Sequence, residues 1–88
     1  MKSVHTKILL AALLTLGISA ANALADTREF CAGFERGYIT GYKKAKHTDL
    51  DPLVPMCPMQ PMKRFGDPDS EFEHGYGIGY ERGLSDGR

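Results

Sequence analysis

The stretch Met56-Cys57-Pro58-Met59-Gln60-Pro61-Met62 holds four of the six sulfur atoms of this 88-residue chain. Two kinds of chemistry follow from those residue types. Thioethers at 56, 59 and 62 are soft donors of the kind that favour Cu(I). Cys57 has one partner available, Cys31, and an even cysteine pair in an exported protein reads as a disulfide, with free or metal-bound thiols as the rival. Against the copper reading stands a simpler one: methionine fills irregular gaps against aromatic rings, and one face of a strand that lies on helices should be apolar. Packing is therefore the expected role of Met56, Met59 and Met62, with Cu(I) binding as the alternative. Other chemistry is sparse. His47 and His74 read as solvated helix residues, and no serine beyond the leader neighbours a histidine in a nucleophile pattern. Cys31 and Cys57 lack the Cys-x-x-Cys spacing of a redox centre. The carboxylates fall on capping and outer faces. No enzyme activity and no cofactor are expected.

The elements that position these residues begin after a leader. Lys2 and Lys7 precede the apolar run Ile8 to Ile18, and Ala23-Leu24-Ala25 offers a small-x-small cleavage site. Residues 1–25 read as an export signal and 26–88 as one small helical domain, periplasmic or secreted. Those 63 residues lose Lys2 and Lys7 from the 11 basic residues and keep all 11 acidic ones, for a net charge of about −2. Nothing in that balance points to nucleic acid. A chain this short has a marginal core unless something staples it.

The stretch Phe30 to Tyr42, "FCAGFERGYITGY", returns at Phe72 to Leu84 as "FEHGYGIGYERGL". Phe30, Phe34, Tyr38 and Tyr42 form one ridge of a helix, and Gly33, Gly37 and Gly41 the ridge beside it. Phe72, Tyr76, Tyr80 and Leu84 repeat the first; Gly75, Gly79, Gly83 and Gly87 repeat the second. A period near 3.6 predicts a helix over 27–46 and another over 68–86. Asp26 with Glu29 marks the first start, Lys43 to His47 its end, and Asp67-Pro68 the second start. Each interior glycine costs roughly 0.8–1 kcal/mol relative to alanine. Their retention points to close backbone approach at Gly33, Gly37, Gly41, Gly75, Gly79 and Gly83.

Between the helices, over 47–66, prolines recur at 52, 55, 58 and 61. Leu53, Met56, Met59 and Met62 keep the same period, and so do Val54, Cys57, Gln60 and Lys63. A period of three with proline is polyproline II. If Cys57 joins Cys31, the strand must run back along helix 1, where Tyr38 and Tyr42 would receive the prolines and Val54. The expected fold is small and all-α: two glycine-ridged helices joined by a polyproline II crossover that one disulfide pins. Parallel helices are expected, and an antiparallel hairpin stays open because Pro58 to Gly66 can climb back.

"GFERGYITGYK", "PMCPMQP" and a phenylalanine-glycine helix are together similar to small exported bacterial proteins with paired glycine and aromatic helices, a likeness that brings no activity. Cys31, Gly37-Tyr38, Gly41-Tyr42 and Cys57-Pro58 resemble the amidase-immunity proteins of type VI secretion over the first half of the chain, which would imply an immunity or inhibitor role. The Met-x-x-Met spacing resembles bacterial copper-handling segments. The four-residue glycine spacing resembles glycine-zipper membrane proteins, although Glu35, Arg36, Glu81 and Arg82 interrupt any apolar span. No membrane insertion of 26–88 is expected. The expected function is a binding or structural module. A periplasmic protein partner would meet the tyrosine face at Tyr76 and Tyr80, since so small a domain leaves aromatic surface uncovered.

Overall fold

The computed structural model describes the backbone of residues 2–88 and the side chains of residues 22–88. Its regular elements are α1, Lys2–Lys46, and α2, Glu71–Asp86, with no strand among the described residues. The all-helical fold expected from the repeat is present, with one connector between the helices.

Both predicted helix starts need correction. α1 does not begin at 27 but runs unbroken through the alanine-rich stretch 20–25, and the expected export signal lies mostly outside the described side chains. Asp26 therefore caps nothing here. Thr27 Oγ1 instead donates to the Ala23 carbonyl at 3.1 Å, one turn back in the same helix. The packed part of the helix begins at Phe30; residues 22–29 are exposed. α2 begins three residues later than Asp67-Pro68 suggested. Ser70 is its N-cap, and its Oγ accepts from the Glu73 backbone N–H at 3.3 Å. Ser70-x-x-Glu73 has the spacing of a capping box. Asp67 is engaged elsewhere: its carboxylate accepts from the Arg64 N–H at 2.7 Å and closes the turn at Gly66, where φ is +93°. The far end of α1 closes on His47, whose φ of 56° is left-handed. The Thr48 N–H then donates back to the Lys43 carbonyl at 3.2 Å, the Schellman pattern.

The helices pack in parallel, in register with the repeat. A methyl group at Gly33 would strike the backbone of Phe72 and Tyr76; at Gly37, that of Tyr76 and Tyr80; at Gly41, that of Tyr80 and Leu84. The reciprocal set holds: Gly75 faces Phe30 and Phe34, Gly79 faces Phe34 and Tyr38, and Gly83 faces Tyr38 and Tyr42. At each of the six a carbonyl oxygen of the facing helix lies too close to leave room for a Cβ. The glycine Cα–H therefore points at that oxygen, a weak hydrogen bond of about 0.5–1 kcal/mol. Six such contacts offset most of the roughly 5 kcal/mol that six interior glycines cost in helix propensity. The fold is thus specified at positions where helix preference argues against it.

The aromatic ridges close over this seam from opposite sides. Phe30, Phe34 and Tyr38 are buried. Phe72, Tyr76 and Tyr80 are half-buried, although their rings stack at similar spacing, 6.3 and 6.2 Å between centroids. The connector makes the difference. Cys57 is bonded to Cys31, with Cα atoms 5.6 Å apart, so the chain returns along α1 as expected. Val54 and Pro55 line a cleft with Phe34 and Glu35, one turn short of the expected Tyr38 and Tyr42.

The phase of the connector contradicts the packing expected of the methionines. Cys57 must point inward to meet Cys31. A three-residue repeat then turns Val54 and Gln60 inward with it and sends Leu53, Met56, Met59 and Met62 outward. Their exposures are 96, 93, 93 and 91%, so none of them packs on the helices.

Candidate functional site

The outer face of the connector is a row longer than Leu53 to Met62. Leu50, at 79% exposure, extends it at one end, and the fully exposed Phe65 at the other. Six large apolar side chains thus recur every third residue from 50 to 65. Leu50 and Phe65 were legible in the same period of three, one step beyond Leu53 and Met62.

The row is held in place by residues of the inward faces. Gln60 donates through its amide nitrogen to the Glu71 carboxylate and also meets His74 Nδ1 at 3.1 Å. That nitrogen can only donate, so Nδ1 accepts and the ring proton sits on Nε2, which faces Asp67 Oδ2 at 3.7 Å. Lys63 Nζ donates to Glu71 Oε1 and to the Asp69 carbonyl, each at 2.6 Å. The Lys63 ammonium, then the Gln60 amide, hold the Glu71 carboxyl below its usual range. A lowered carboxyl pKa stabilises the folded chain above the ordinary glutamate range, and that contribution is lost as pH falls through the lowered value. On the other side, Lys43 Nζ pairs with Asp51 Oδ1 at 2.8 Å.

His74 is the clearest miss. The expected solvated residue is 5% exposed and lies edge-on to Phe30, 5.6 Å between ring centroids. Its signal was Gln60, which shares the inward face with Cys57. His47 is exposed as expected, at the helix-ending turn.

Tyr76 and Tyr80, the expected partner face, lie together on the half-buried ladder of α2, with Lys44 Nζ 5.8 Å from the Tyr80 ring centre. On the opposite ladder the Tyr38 hydroxyl donates to Asp86 Oδ2 at 2.9 Å. Burial, reinforced by Asp86, pushes the Tyr38 pKa up. Where the connector meets α2, an open cleft of about 640 Å³ is walled by Met62, Arg64, Asp67, His74, Ile78 and Glu81 among others. No serine, threonine or cysteine lines it, so it offers His74 no hydroxyl or thiol side chain.

For metal binding, successive methionines on a polyproline II strand stand about 9 Å apart along the axis. An ion between Met56 and Met59 would be out of reach of Met62 unless the strand bends. The described His, Cys, Asp and Glu residues form no group of three able to hold a metal. No described helix is long and apolar enough to cross a membrane.

No known protein family, curated protein or solved structure matches this chain.

Proposed function

We propose that this chain is an exported, disulfide-stapled binding module with no chemistry of its own, and that it presents the outer row of its connector to a protein partner in the periplasm or the medium. The observation that carries the reading is the row itself. Leu50, Leu53, Met56, Met59, Met62 and Phe65 point into solvent, while the aromatic core below is closed without them. Burial of each such side chain would contribute about 1.5–3 kcal/mol. A strand already ordered by Cys57, Gln60 and Lys63 loses little entropy on docking, the advantage of polyproline-type recognition. Methionine is also enriched at interfaces. The joined cysteines suit an oxidising compartment outside the cytoplasm.

The half-exposed Tyr76–Tyr80 ladder supports a second reading, in which that face meets the partner. The rival in which the glycines zip a membrane assembly loses support, because six of them face the sister helix of the same chain.

Capture from an exported fraction separates the two faces. The parent chain, a Met56→Ser/Met59→Ser variant and a Tyr76→Ala/Tyr80→Ala variant are each immobilised after their helicity is verified. A partner retained by the parent and the tyrosine variant, but lost by the methionine variant, is expected. Retention by the methionine variant would remove the connector from the interface.

A further inference from the structure

Apart from Met1, every methionine of the chain stands on the outer face of the connector. We propose that Met56, Met59 and Met62 are an oxidation site: a row of thioethers that takes up oxygen from hydrogen peroxide or hypochlorous acid, turning the face from apolar to polar while the fold beneath is unchanged. The proposal is independent of any partner.

The placement is the first support. Methionine ordinarily fills gaps against aromatic rings. The buried core here is Phe30, Phe34 and Tyr38, and it contains none. All three thioethers are instead more than nine-tenths exposed. The second support is the state of the other sulfur. Cys31 and Cys57 are joined, with no free cysteine among the described residues, so no thiol competes for the oxidant. The third is mechanical. The strand is held by Val54, Cys57, Gln60 and Lys63, on faces the methionines do not share.

The reaction is a two-electron oxidation of sulfur. A lone pair on Sδ attacks an oxygen of hydrogen peroxide and the O–O bond breaks. That oxygen stays on sulfur as the sulfoxide; the other leaves as water once it has gained the proton the first one loses. With hypochlorous acid the O–Cl bond breaks, and chloride and a proton leave. Sulfoxidation usually disrupts the cores in which methionine is buried. These side chains are more than nine-tenths exposed, so the polar product displaces no packed neighbour, even at Met62 on the cleft wall. At about 9 Å per turn of the strand each sulfur reacts independently. The product is a pair of epimers, each reducible by its own class of methionine sulfoxide reductase.

The folded chain is treated with increasing hydrogen peroxide and followed by intact mass and peptide mapping, with Met1 scored separately. Three oxygens are expected at 56, 59 and 62, at rates within about threefold of a free methionine derivative. Far-UV circular dichroism and the melting temperature stay unchanged, retention on a hydrophobic-interaction column falls, and the two reductases together restore the parent mass. In Met59→Leu, uptake drops from three to two with unchanged rates at 56 and 62. Rates more than tenfold below free methionine, loss of helicity on oxidation, or sulfoxides that resist both reductases would each overturn the proposal.

Discussion

The two copies of the repeat share their backbone contacts and differ in what covers them. Phe30, Phe34 and Tyr38 on α1 are buried, whereas Phe72, Tyr76 and Tyr80 on α2 remain half-open. Ring spacing is nearly the same, 6.2 Å for Phe34–Tyr38 and 6.2 Å for Tyr76–Tyr80. The repeat therefore specifies the seam, and the connector specifies the sides. A pair of equivalent helices becomes a molecule with a closed face and an open one because Cys57 joins the first copy, while Phe72 to Leu84 contains no cysteine to mirror Cys31.

The seam should fail symmetrically. Gly37→Ala and Gly79→Ala each drive a methyl group into a backbone carbonyl of the opposite helix, so the helices must separate. A loss of about 3 kcal/mol or more is expected from either, enough to unfold much of so small a domain, although alanine is the better helix former. Urea denaturation checks it. Unequal losses would mean that one helix can shift where the other cannot.

The sides should fail unequally. Phe34→Ala removes a ring that is 1% exposed and should cost about 3–5 kcal/mol. Tyr76→Ala, on the open ladder, should cost about 2 kcal/mol less. Equal losses by chemical denaturation would erase the distinction between the faces.

Removing the staple should make the copies alike. Cys31→Ser with Cys57→Ser opens a 26-residue loop and should cost about 3 kcal/mol. With the connector released from Cys31, the ladder it flanks at Phe34 should open, and with it Tyr38, which stacks on Phe34. Its ionisation should then move down toward the ordinary tyrosine range, which ultraviolet difference titration follows. No movement would show that Asp86 and the helices bury Tyr38 without the connector.

Helix type and the glycine contacts were legible because glycine every fourth residue, twice, has one economical explanation; the parallel direction followed from pairing Cys57 with Cys31, with an antiparallel hairpin left open. Two helix ends were misread. Asp67-Pro68 has the composition of a start, but Asp67 was equally suited to close the Gly66 turn, and Ser70-x-x-Glu73 was the competing cap. The methionine face was misread because apolar was equated with inward. Cys57 already fixed which of the three faces points inward, and Met56 and Met59 flank it on the outward one. His74 was misread because a histidine was judged on its own helix and not against Gln60 on the connector.

The smallest effect tests the same contrast within one helix. Gly77 lies on α2 two residues from Gly75 and two from Gly79, yet a methyl group there meets nothing within 4 Å. It is exposed beside the cleft, so neither close approach nor dihedral strain requires glycine at this position. Gly77→Ala should therefore recover the helix propensity that glycine forfeits and stabilise the chain by about 0.8–1 kcal/mol. Gly75→Ala, on the seam, would place its methyl against the Phe30 and Phe34 backbone and should destabilise. Opposite signs at neighbouring glycines, measured as shifts in the urea midpoint at constant slope, are the expected result. Stabilisation by both would show that the helices do not approach as closely as the seam requires.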